Sequence, residues 1–326
     1  MDRTAVIAFL GDDWKRTMEL IHSSLDSDIS LLKTTNESIL SHSGKQLRPM
    51  LSLLVAKACN GGSLNDESIR YAAAAELLHN ATLLHDDVAD ASETRRGAPT
   101  VASTLGNVPS VLIGDFWLVK AVDLVLNTGA YGNNVAGLFA ETLRHLAEGE
   151  MLQLQKAYCG DTSEADYFKI IFSKTASLFE AACRSAAMSV DASELVRKAV
   201  GEYAVKLGLA FQIKDDILDY EGGDIGKPAG VDLKEQKITL PLLGAFHNAP
   251  DETERLVRQM VCGIPQHPEN VERIITFVKE YKGMEYAAEK LHSLCDEAAA
   301  ALSVLPDSRA KEYLKELAYY TADRKK

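Results

Sequence analysis

The chain has 326 residues, of which 46% are hydrophobic and 25% charged, and its formal net charge is -12. This composition is typical of a globular protein and excludes a disordered or collagen-like one. The acidic balance argues against a nucleic-acid-binding protein, because such proteins present net-basic surfaces to the phosphate backbone.

Apolar residues recur at intervals of three and four nearly throughout the chain, a pattern that predicts one helix after another. No stretch shows sustained alternation of apolar and polar residues, so we expect no sheet. The predicted helices, in chain order, cover residues 49–60, 66–91, 108–127, 134–158, 164–190 and 192–221. The predicted fold class is all-α, with a single domain over residues 1–326 that forms a helical bundle around a central cavity.

Cysteine usage and the N-terminus bear on the compartment. The five cysteines have neither metal-ligand nor redox spacing, and an odd number without a secretory signal favours a reducing, cytoplasmic location. No apolar run approaches the ~18 residues that a bilayer requires, so we expect no transmembrane helix.

Two copies of the pattern Asp-Asp-x-x-Asp lie inside predicted helices, at 86–90 and 215–219. Residues four apart share a helix face, so the first and last aspartates of each copy stack. Magnesium is held by such carboxylates together with substrate phosphate oxygens. A solvated acidic face is the alternative, but apolar residues precede both motifs. The sequence therefore predicts two facing clusters around a metal-bound diphosphate, formed by Asp86, Asp87, Asp90, Asp215, Asp216 and Asp219.

Basic residues accompany both motifs, as a diphosphate requires for the oxygens that metal ions do not cover. The candidates are Lys45, Arg48, Arg95, Arg96, Lys174, Lys227 and Lys237. Lys45 and Arg48 lie at a predicted loop-to-helix junction, where backbone N–H groups also favour anions. Taken singly, each candidate fits an ordinary surface charge, so the interpretation depends on their number.

With these motifs the chain resembles the trans-isoprenyl diphosphate synthases, also called polyprenyl synthetases, across nearly its whole length. The matching segments are Gly44-Lys45-x-x-Arg48-Pro49, Glu76-Leu-Leu-His79, His85-Asp86-Asp87-x-x-Asp90 with Arg95-Arg96-Gly97, Gly114-Asp115-Phe116, Glu148-Gly149-Glu150 with Gln153, Lys174-Thr175, Phe211-Gln212-x-x-Asp215-Asp216-x-x-Asp219, Gly226-Lys227-Pro228-x-Gly230-x-Asp232 and Lys237-x-Thr239-Leu240-Pro241. Each string alone is weak, but their shared order and spacing make the match specific.

The resemblance implies a trans-prenyltransferase that condenses isopentenyl diphosphate, head to tail, with geranyl, farnesyl or geranylgeranyl diphosphate by metal-assisted ionisation. It implies magnesium, three ions bound with the allylic diphosphate, ligated by Asp86, Asp90 and Asp215. Asp87, Asp216 and Asp219 would lie in or near that shell.

The resemblance also divides the basic residues between the two substrates. Arg95, Lys174 and Lys227 would contact the allylic diphosphate, with Lys237 in support. Lys45, Arg48, His79 and Arg96 would hold isopentenyl diphosphate. Thr175 and Gln212 would stabilise the allylic cation, which must be shielded from water, and diphosphate is a plausible proton acceptor.

Small residues precede the first motif: Ala81 and Thr82 lie about one turn before Asp86, where short-chain members of the family carry aromatic side chains. This implies a product longer than farnesyl diphosphate, roughly six to nine isoprene units by family analogy. Trp117 or Phe139 would close the product channel lower down, and core packing is the alternative for both. A departure from the family is Gln236, where many members have glycine, which suggests altered loop flexibility.

Three other functions stay open at this point. They are a short-chain farnesyl or geranylgeranyl diphosphate synthase, a class I terpene cyclase or head-to-head synthase, and a non-catalytic regulatory subunit. The paired basic groups favour chain elongation, and both aspartate motifs are intact. Family members are usually homodimers, for which residues 108–126 are the candidate interface, and product release suggests peripheral contact with a membrane.

Overall fold

The computed structural model describes residues 2–126, 128–222 and 229–324. Nearly all of these residues lie in helices, so the predicted all-α class is confirmed. The chain forms two compact units. The first unit comprises Met1–Ala140, Ala181–Gly201 and Val304–Leu314, and the second comprises Glu141–Glu180, Glu202–Ser303 and Lys315–Lys326. The single domain over residues 1–326 stays a prediction.

The N-terminal part of the chain forms seven helices and a short hairpin. These are α1 (Arg3–Leu10), α2 (Asp12–Ser24), α3 (Ser30–Ser41), α4 (Leu47–Asn60), α5 (Asp66–Ala89), β1 (Thr94–Arg95), β2 (Ala98–Pro99), α6 (Val101–Leu105) and α7 (Asn107–Val125). Helices α1 to α3 and α6 lie outside the predicted helix ranges, whereas α4, α5 and α7 match predicted helices to within two residues.

The remainder of the described chain forms ten helices. These are α8 (Gly132–Cys159), α9 (Glu164–Ile171), α10 (Ser177–Ser189), α11 (Glu194–Glu221), α12 (Val231–Lys234), α13 (Leu240–Asn248), α14 (Asp251–Cys262), α15 (Asn270–Glu280), α16 (Gly283–Ala301) and α17 (Arg309–Asp323). A π-helical turn (Phe172–Ala176) joins α9 to α10, and a 3₁₀ turn (Leu302–Val304) follows α16. No helix in the described ranges is both long and apolar enough to cross a membrane.

Helix α5 is the centre of the first unit. It begins at a cap in which the Asn65 side chain accepts a hydrogen bond from the Ser68 N–H, with Asp66 and Glu67 in the first turn, where the helix dipole favours negative charge. Its alanine run is fully buried and lets α2, α4 and α7 pack closely around it. The helix ends at Ala89, two residues before the predicted end, so the first aspartate motif occupies its final turn.

The hairpin after α5 is a small sheet that the sequence pattern did not predict. β1 pairs antiparallel with β2, with Thr94 opposite Pro99. The two loop residues, Arg96 and Gly97, both have left-handed backbones, with φ of 54° and 80°. Two-residue hairpin loops require this geometry, which glycine adopts readily and arginine does not. The hairpin therefore fixes the direction of Arg95 and Arg96 at some cost in backbone strain.

The second unit contains a π turn where a continuous helix over 164–190 is predicted. Its five residues lie against two helices that approach through glycine. A Cβ added to Gly149 of α8 would lie 2.6 Å from Ser173 Cβ, and one added to Gly208 of α11 would lie 2.6 Å from Ala176 Cα. Such turns are often found at functional sites. Here the turn contains Lys174 and Thr175.

The core of the second unit forms where α13 packs against α15 and α16. Leu240, Leu242, Ile274 and Ala287 are fully buried there. Pro241 lies in the first turn of α13, where its fixed φ suits a helix and its missing N–H has no intrahelical partner to lose. This core supports the end of α11, which carries the second aspartate motif.

Candidate active site

The first aspartate motif shows a different environment for each carboxylate. Asp86 is half-buried in the last turn of α5, Asp87 is buried, and Asp90 is the exposed C-terminal cap. Arg95 Nε donates to Asp87 Oδ1 at 2.7 Å. The helix dipole opposes negative charge at this end of a helix, so Asp86 and Asp90 favour a bound cation.

Helix α7 approaches the motif through Gly114. A Cβ at this position would lie 2.4 Å from His85 Nε2, so a larger residue would push α7 away from α5. His85 Nε2 lies 3.3 Å from Asp115 Oδ1 and 3.3 Å from the Val111 carbonyl oxygen. The Gly-Asp-Phe segment thus positions the histidine that precedes the motif.

A cluster of basic groups lies in the same unit, formed by Arg48, His79 and Arg96 around the buried carboxyl group of Glu76. Burial lowers the pKa of Arg48 to about 10, an effect that Glu76 opposes and Arg96 reinforces. Burial, then the charges of Arg48 and Arg96, keep the pKa of His79 well below its usual 6.5. The pKa of Arg96 is lowered by partial burial, with Glu76 opposing. We call these three basic residues the cation cluster.

The carboxyl group of Glu76 is buried next to the cation cluster. Burial raises the pKa of its carboxyl group, while Arg48 and a hydrogen bond from Asn80 oppose that shift. Asn80 Nδ2 lies 3.2 Å from Glu76 Oε1 and 2.8 Å from the Glu76 carbonyl oxygen. One buried carboxyl group thus faces two guanidinium groups, so the cluster suits an anion.

The segment before α4 completes the cation cluster. A Cβ at Gly44 would lie 2.6 Å from Arg96 Cζ, so glycine is what lets the guanidinium group pack on this backbone. Gln46 has a left-handed φ of 51° immediately before α4. Lys45 is exposed, and its carbonyl oxygen accepts from Arg3 Nε at 3.2 Å. Lys45, Arg48, His79 and Arg96 therefore all belong to the first unit, as does the first aspartate motif.

In the second motif, Asp216 is almost fully buried and both of its carboxylate oxygens accept hydrogen bonds. The Tyr167 hydroxyl donates to Oδ2 at 2.6 Å, and Gln212 Nε2 donates to Oδ1 at 2.9 Å. The side-chain Oε1 of Gln212 in turn accepts from the Thr175 hydroxyl at 2.9 Å. Burial raises the pKa of Asp216 well above its usual value, with the charge of Asp232 adding to the shift and the two donors opposing it.

The two outer carboxylates of the second motif also contact protein donors. Asp219 accepts from the backbone N–H groups of Val231 and Asp232 at 3.0 and 3.2 Å, which ties the end of α11 to α12. Asp215 Oδ1 accepts from Arg324 Nη2 at 2.7 Å, and the Arg324 guanidinium group lies 4.0 Å from the centre of the Phe211 ring. All three carboxylates of this motif are therefore held in place by the fold.

Lys174 points from the π turn into a cavity of about 160 Å³ in the second unit, which Tyr167, Gln212, Asp216, Asp232 and Lys237 also line. Its Nζ lies 2.6 Å from Glu150 Oε1 and 3.1 Å from Gln153 Oε1. Lys237 forms an ion pair with Glu235. Lys227, the remaining predicted contact of the allylic diphosphate, lies outside the described residues.

Gln236 has an explanation in the backbone. Its φ is 58°, the left-handed conformation that glycine adopts at no steric cost. Its side-chain Nε2 donates to the Cys262 carbonyl oxygen at 3.0 Å, a contact that glycine cannot make. Compared with glycine, Gln236 therefore has a less favourable backbone conformation but gains a hydrogen bond to the end of α14.

The two aspartate motifs belong to different units, and their facing each other stays a prediction. Within the described ranges, no three His, Cys, Asp or Glu side chains are grouped so that they could hold a metal ion by themselves. Magnesium in proteins is commonly bound by one or two carboxylates and by substrate phosphate oxygens.

The model of the polyprenyl synthetase family matches residues 29–278, a range that includes both aspartate motifs, the cation cluster and the π turn. The chain belongs to the polyprenyl synthetase family. The predicted resemblance is thereby confirmed.

Named relatives agree with this assignment. The octaprenyl diphosphate synthase of Haemophilus influenzae is 36% identical over 314 residues, which cover 96% of this chain and 94% of that protein. The crystal structure of a decaprenyl diphosphate synthase from Rhodobacter capsulatus is 33% identical, has a TM-score of 0.91, and covers 100% of both chains.

A third relative carries ligands. A polyprenyl synthase from Caulobacter crescentus, crystallised with calcium and isoprenyl diphosphate, is 33% identical with a TM-score of 0.90, and the match covers 100% of this chain and 98% of that one. Together these relatives confirm the predicted enzyme class. The chain is a polyprenyl diphosphate synthase, a trans-prenyltransferase.

Several residues that contact the predicted site residues were not themselves predicted. Tyr167 and Arg324 contact the second motif, and Glu76 supports the cation cluster. Asp232, whose pKa burial raises to about 6, lies in the cavity beside Asp216. Glu76 and Asp232 lie in the matched motifs, so both could have been predicted from the sequence. Arg324 has no sequence signal, because its contact spans 109 positions.

Proposed function

We propose that this polyprenyl diphosphate synthase joins isopentenyl diphosphate head to tail with an allylic diphosphate and releases inorganic diphosphate. The observation that carries this proposal is the cation cluster in the same unit as the first aspartate motif. An enzyme that only ionises an allylic diphosphate needs one diphosphate site, whereas chain elongation needs a second. Arg48, His79 and Arg96 supply that second site.

The donor set at the first motif fits magnesium. Asp86 and Asp90 are oxygen ligands one turn apart at the C-terminal end of α5, and Asp87 is committed to Arg95. We propose three magnesium ions, with Asp86, Asp90 and Asp215 as ligands and Asp87, Asp216 and Asp219 in or near that shell. Magnesium, when bound, would neutralise the negative charge that develops on the departing diphosphate.

The chain's own residues would bind and orient both substrates. Arg95, Lys174 and Lys227 would hold the allylic diphosphate, with Lys237 in support. Lys45, Arg48, His79 and Arg96 would hold isopentenyl diphosphate. The neutral His79 ring that its low pKa implies is suited to a hydrogen bond rather than to an ion pair.

The allylic cation must be stabilised by groups that do not form a covalent bond to it. The Thr175 hydroxyl and the Gln212 carbonyl oxygen, which are hydrogen-bonded to each other, would present partial negative charge to it. Released diphosphate would accept the proton lost from the isopentenyl unit. The described residues around the cavity of the second unit thus act by electrostatics and not as nucleophiles.

We propose a product of roughly six to nine isoprene units, based on the small residues Ala81 and Thr82 before the first motif. Trp117 is fully buried and donates from Nε1 to Asn36 Oδ1 at 2.8 Å, and Phe139 is 5% exposed. Both are firmly packed in the first unit, as a channel floor must be. Chromatography of the products made from geranyl, farnesyl and geranylgeranyl primers measures the length directly.

Incubation with labelled isopentenyl diphosphate and an allylic primer tests the proposed reaction. A chain-elongating enzyme incorporates the label into polyprenyl diphosphates. A terpene cyclase would consume the primer without incorporating label, and a regulatory subunit would consume neither substrate. A short-chain synthase would stop at the farnesyl or geranylgeranyl product.

We also propose a homodimer formed through α7. Val108, Leu112 and Val119 are exposed by 71%, 62% and 57%, and Val111 and Val122 lie on the same stripe. Sedimentation equilibrium tests this, and a monomer at micromolar concentration would contradict it. Peripheral membrane contact and a cytoplasmic location stay predictions.

A further inference from the structure

Tyr167 is a buried residue whose hydroxyl group serves the second aspartate motif. It lies on α9 and is 3% exposed. Its hydroxyl donates to Asp216 Oδ2 at 2.6 Å, while Gln212 Nε2 donates to the other oxygen of the same carboxylate at 2.9 Å. Asp216 is therefore held between a donor from α9 and a donor one turn earlier on α11.

The hydrogen bonds continue from Asp216 to the residues that the proposed reaction uses. A carboxamide has a donor end and an acceptor end. The donor end of Gln212 is bound to Asp216, so its acceptor end points to Thr175, whose hydroxyl donates to it at 2.9 Å. Four side chains thus form one line, from Tyr167 through Asp216 and Gln212 to Thr175, which we call the hydrogen-bond relay.

The relay decides which atoms face the reacting carbon. If Gln212 turned over, its NH₂ group would point where its oxygen now lies, and a partial positive charge would face a carbocation. Preorganised dipoles stabilise a transition state because they need no rearrangement during the reaction. Buried, fully satisfied polar networks are rigid in this way.

We propose that Tyr167 is a positioning residue for prenyl transfer, which acts through Asp216 to fix the orientation of Gln212 and Thr175. This inference depends on the proposed function, because it needs an allylic cation at those two side chains. It gives Asp216 the role of an anchor for the relay. The buried carboxylate is engaged on both oxygens, in contrast to the more exposed Asp86 and Asp90.

A purely structural role for the hydroxyl is the competing explanation, since Tyr167 also links α9 to α11. The chain offers a matched control. Tyr286 on α16 donates its hydroxyl to Glu164 Oε2 on the same helix α9 at 2.8 Å. The substitution Tyr286→Phe removes a hydroxyl-to-carboxylate bond from α9 and leaves the relay intact.

The experiment is a double-mutant cycle. Tyr167→Phe, Tyr286→Phe and Gln212→Ala are each made in the unmodified protein, and Tyr167→Phe is also combined with Gln212→Ala. For each variant we would measure kcat, the KM of both substrates, the thermal unfolding midpoint, and the fraction of allylic diphosphate hydrolysed to alcohol instead of coupled.

We expect Tyr167→Phe to lower kcat about tenfold, the effect of one lost hydrogen bond, with both KM values within about twofold. The hydrolysed fraction should rise, because a poorly stabilised cation couples less efficiently. Tyr286→Phe should leave kcat unchanged. In the Gln212→Ala background, Tyr167→Phe should have no further effect on kcat.

An equal loss of kcat from Tyr167→Phe in both backgrounds would overturn the inference, as would an unchanged kcat in the single variant. A loss of kcat that Tyr286→Phe reproduces would also overturn it. Failure of the proposed function has a different signature: the unmodified enzyme would incorporate no labelled isopentenyl diphosphate, whatever the variants do.

Discussion

The two aspartate motifs have the same sequence pattern and opposite local chemistry. In the first, Asp86 is half-buried, Asp90 is exposed, and the middle carboxylate pairs with Arg95. In the second, each of the three carboxylates accepts hydrogen bonds from protein donors: Arg324, the Tyr167 and Gln212 side chains, and two backbone N–H groups. The first motif places negative charge near solvent, whereas the second is built into the fold.

This contrast teaches that a repeated motif does not imply a repeated role. The helix dipole disfavours negative charge at the C-terminal end of a helix, so carboxylates near solvent there are suited to binding a cation. A carboxylate that accepts several protein hydrogen bonds contributes to stability and positioning. We therefore expect substitutions in the first motif to affect turnover, and those in the second to affect both turnover and stability.

The largest expected effect comes from Asp86→Ala. Turnover should fall on the order of 10³-fold, since a group that stabilises the departing charge is lost. The loss of unfolding free energy should be smaller than that of Asp219→Ala, because the helix dipole disfavours a negative charge at this end of α5. Label incorporation and urea unfolding measure the two quantities, with Asp28→Ala, at an exposed site before α3, as the control. A large loss of stability would remove the contrast between the motifs.

Arg48→Gln tests the cation cluster of the first unit. The KM of isopentenyl diphosphate should rise at least about tenfold, the effect of one charge-assisted hydrogen bond. The KM of the allylic substrate should stay within about twofold. Steady-state kinetics with each substrate varied in turn measures both, and Arg309→Gln, at a surface ion pair with Glu312, is the control. An equal rise in both KM values would contradict the separation of the two diphosphate sites.

Asp219→Ala tests the structural side of the second motif. The carboxylate caps the backbone N–H groups of Val231 and Asp232, so its removal should cost about 2 kcal/mol of unfolding free energy. Urea unfolding measures the loss, and Asp86→Ala serves as the comparison from the other motif. If the two variants were equally stable, the difference between the motifs would not extend to the fold.

His79→Gln tests the electrostatics of the cation cluster through pH. The pKa of His79 in the folded protein lies well below 6.5, so as pH falls below about 6.5 the unfolded chain takes up a proton that the folded chain does not. The wild type should therefore lose about 1 kcal/mol of stability from this residue between about pH 6.5 and 5.5, and the variant should not. Urea midpoints between pH 5.5 and 6.5 measure the difference, with His292→Gln, at an exposed site, as the control. Parallel profiles for wild type and His79→Gln would contradict the buried, neutral imidazole.

The smallest effect is expected for Gln236→Gly. Glycine relieves a left-handed φ worth about 1 kcal/mol but loses the hydrogen bond to Cys262 and gains entropy in the unfolded chain. These contributions nearly cancel, so the unfolding free energy should change by less than about 1 kcal/mol. A thermal melt detects a larger shift, which would show that the side chain does more than satisfy one carbonyl oxygen.

Much of this architecture could be predicted because the controlling signals are local. The three-to-four periodicity predicts the helices, and the four-residue spacing predicts that Asp86 and Asp90 share a face. The helix end at Ala89 and the hairpin after it were not predicted, because two-residue strands leave no alternation to detect. The π turn was also missed, since Phe172–Ala176 keeps a helical pattern and the glycines packed against it, Gly149 and Gly208, lie on other helices.

The site residues divide in the same way. The aspartates and basic groups were predicted from motifs, and their roles as ligands stay predictions. The environment of each carboxylate was out of reach, because Tyr167 lies 49 positions from Asp216 and Arg324 lies 109 positions from Asp215. The pattern Asp-Asp-x-x-Asp that 86–90 and 215–219 share carries no information on which carboxylate is buried. Only long-range contacts decide that.

The π turn has a consequence for how the enzyme could change during evolution. Lys174 contacts Glu150 and Gln153, whereas the next residue, Thr175, contacts Gln212. The partner that each side chain meets depends on its direction around the helix axis, which changes by about 100° per residue in an α-helix. Compared with a regular α-helix, the π turn contains one extra residue. Deleting a single residue between 172 and 176 would give a regular helix and rotate one of these two side chains away from its partners. The number of residues in this segment is therefore as constrained as the identity of any single side chain on it.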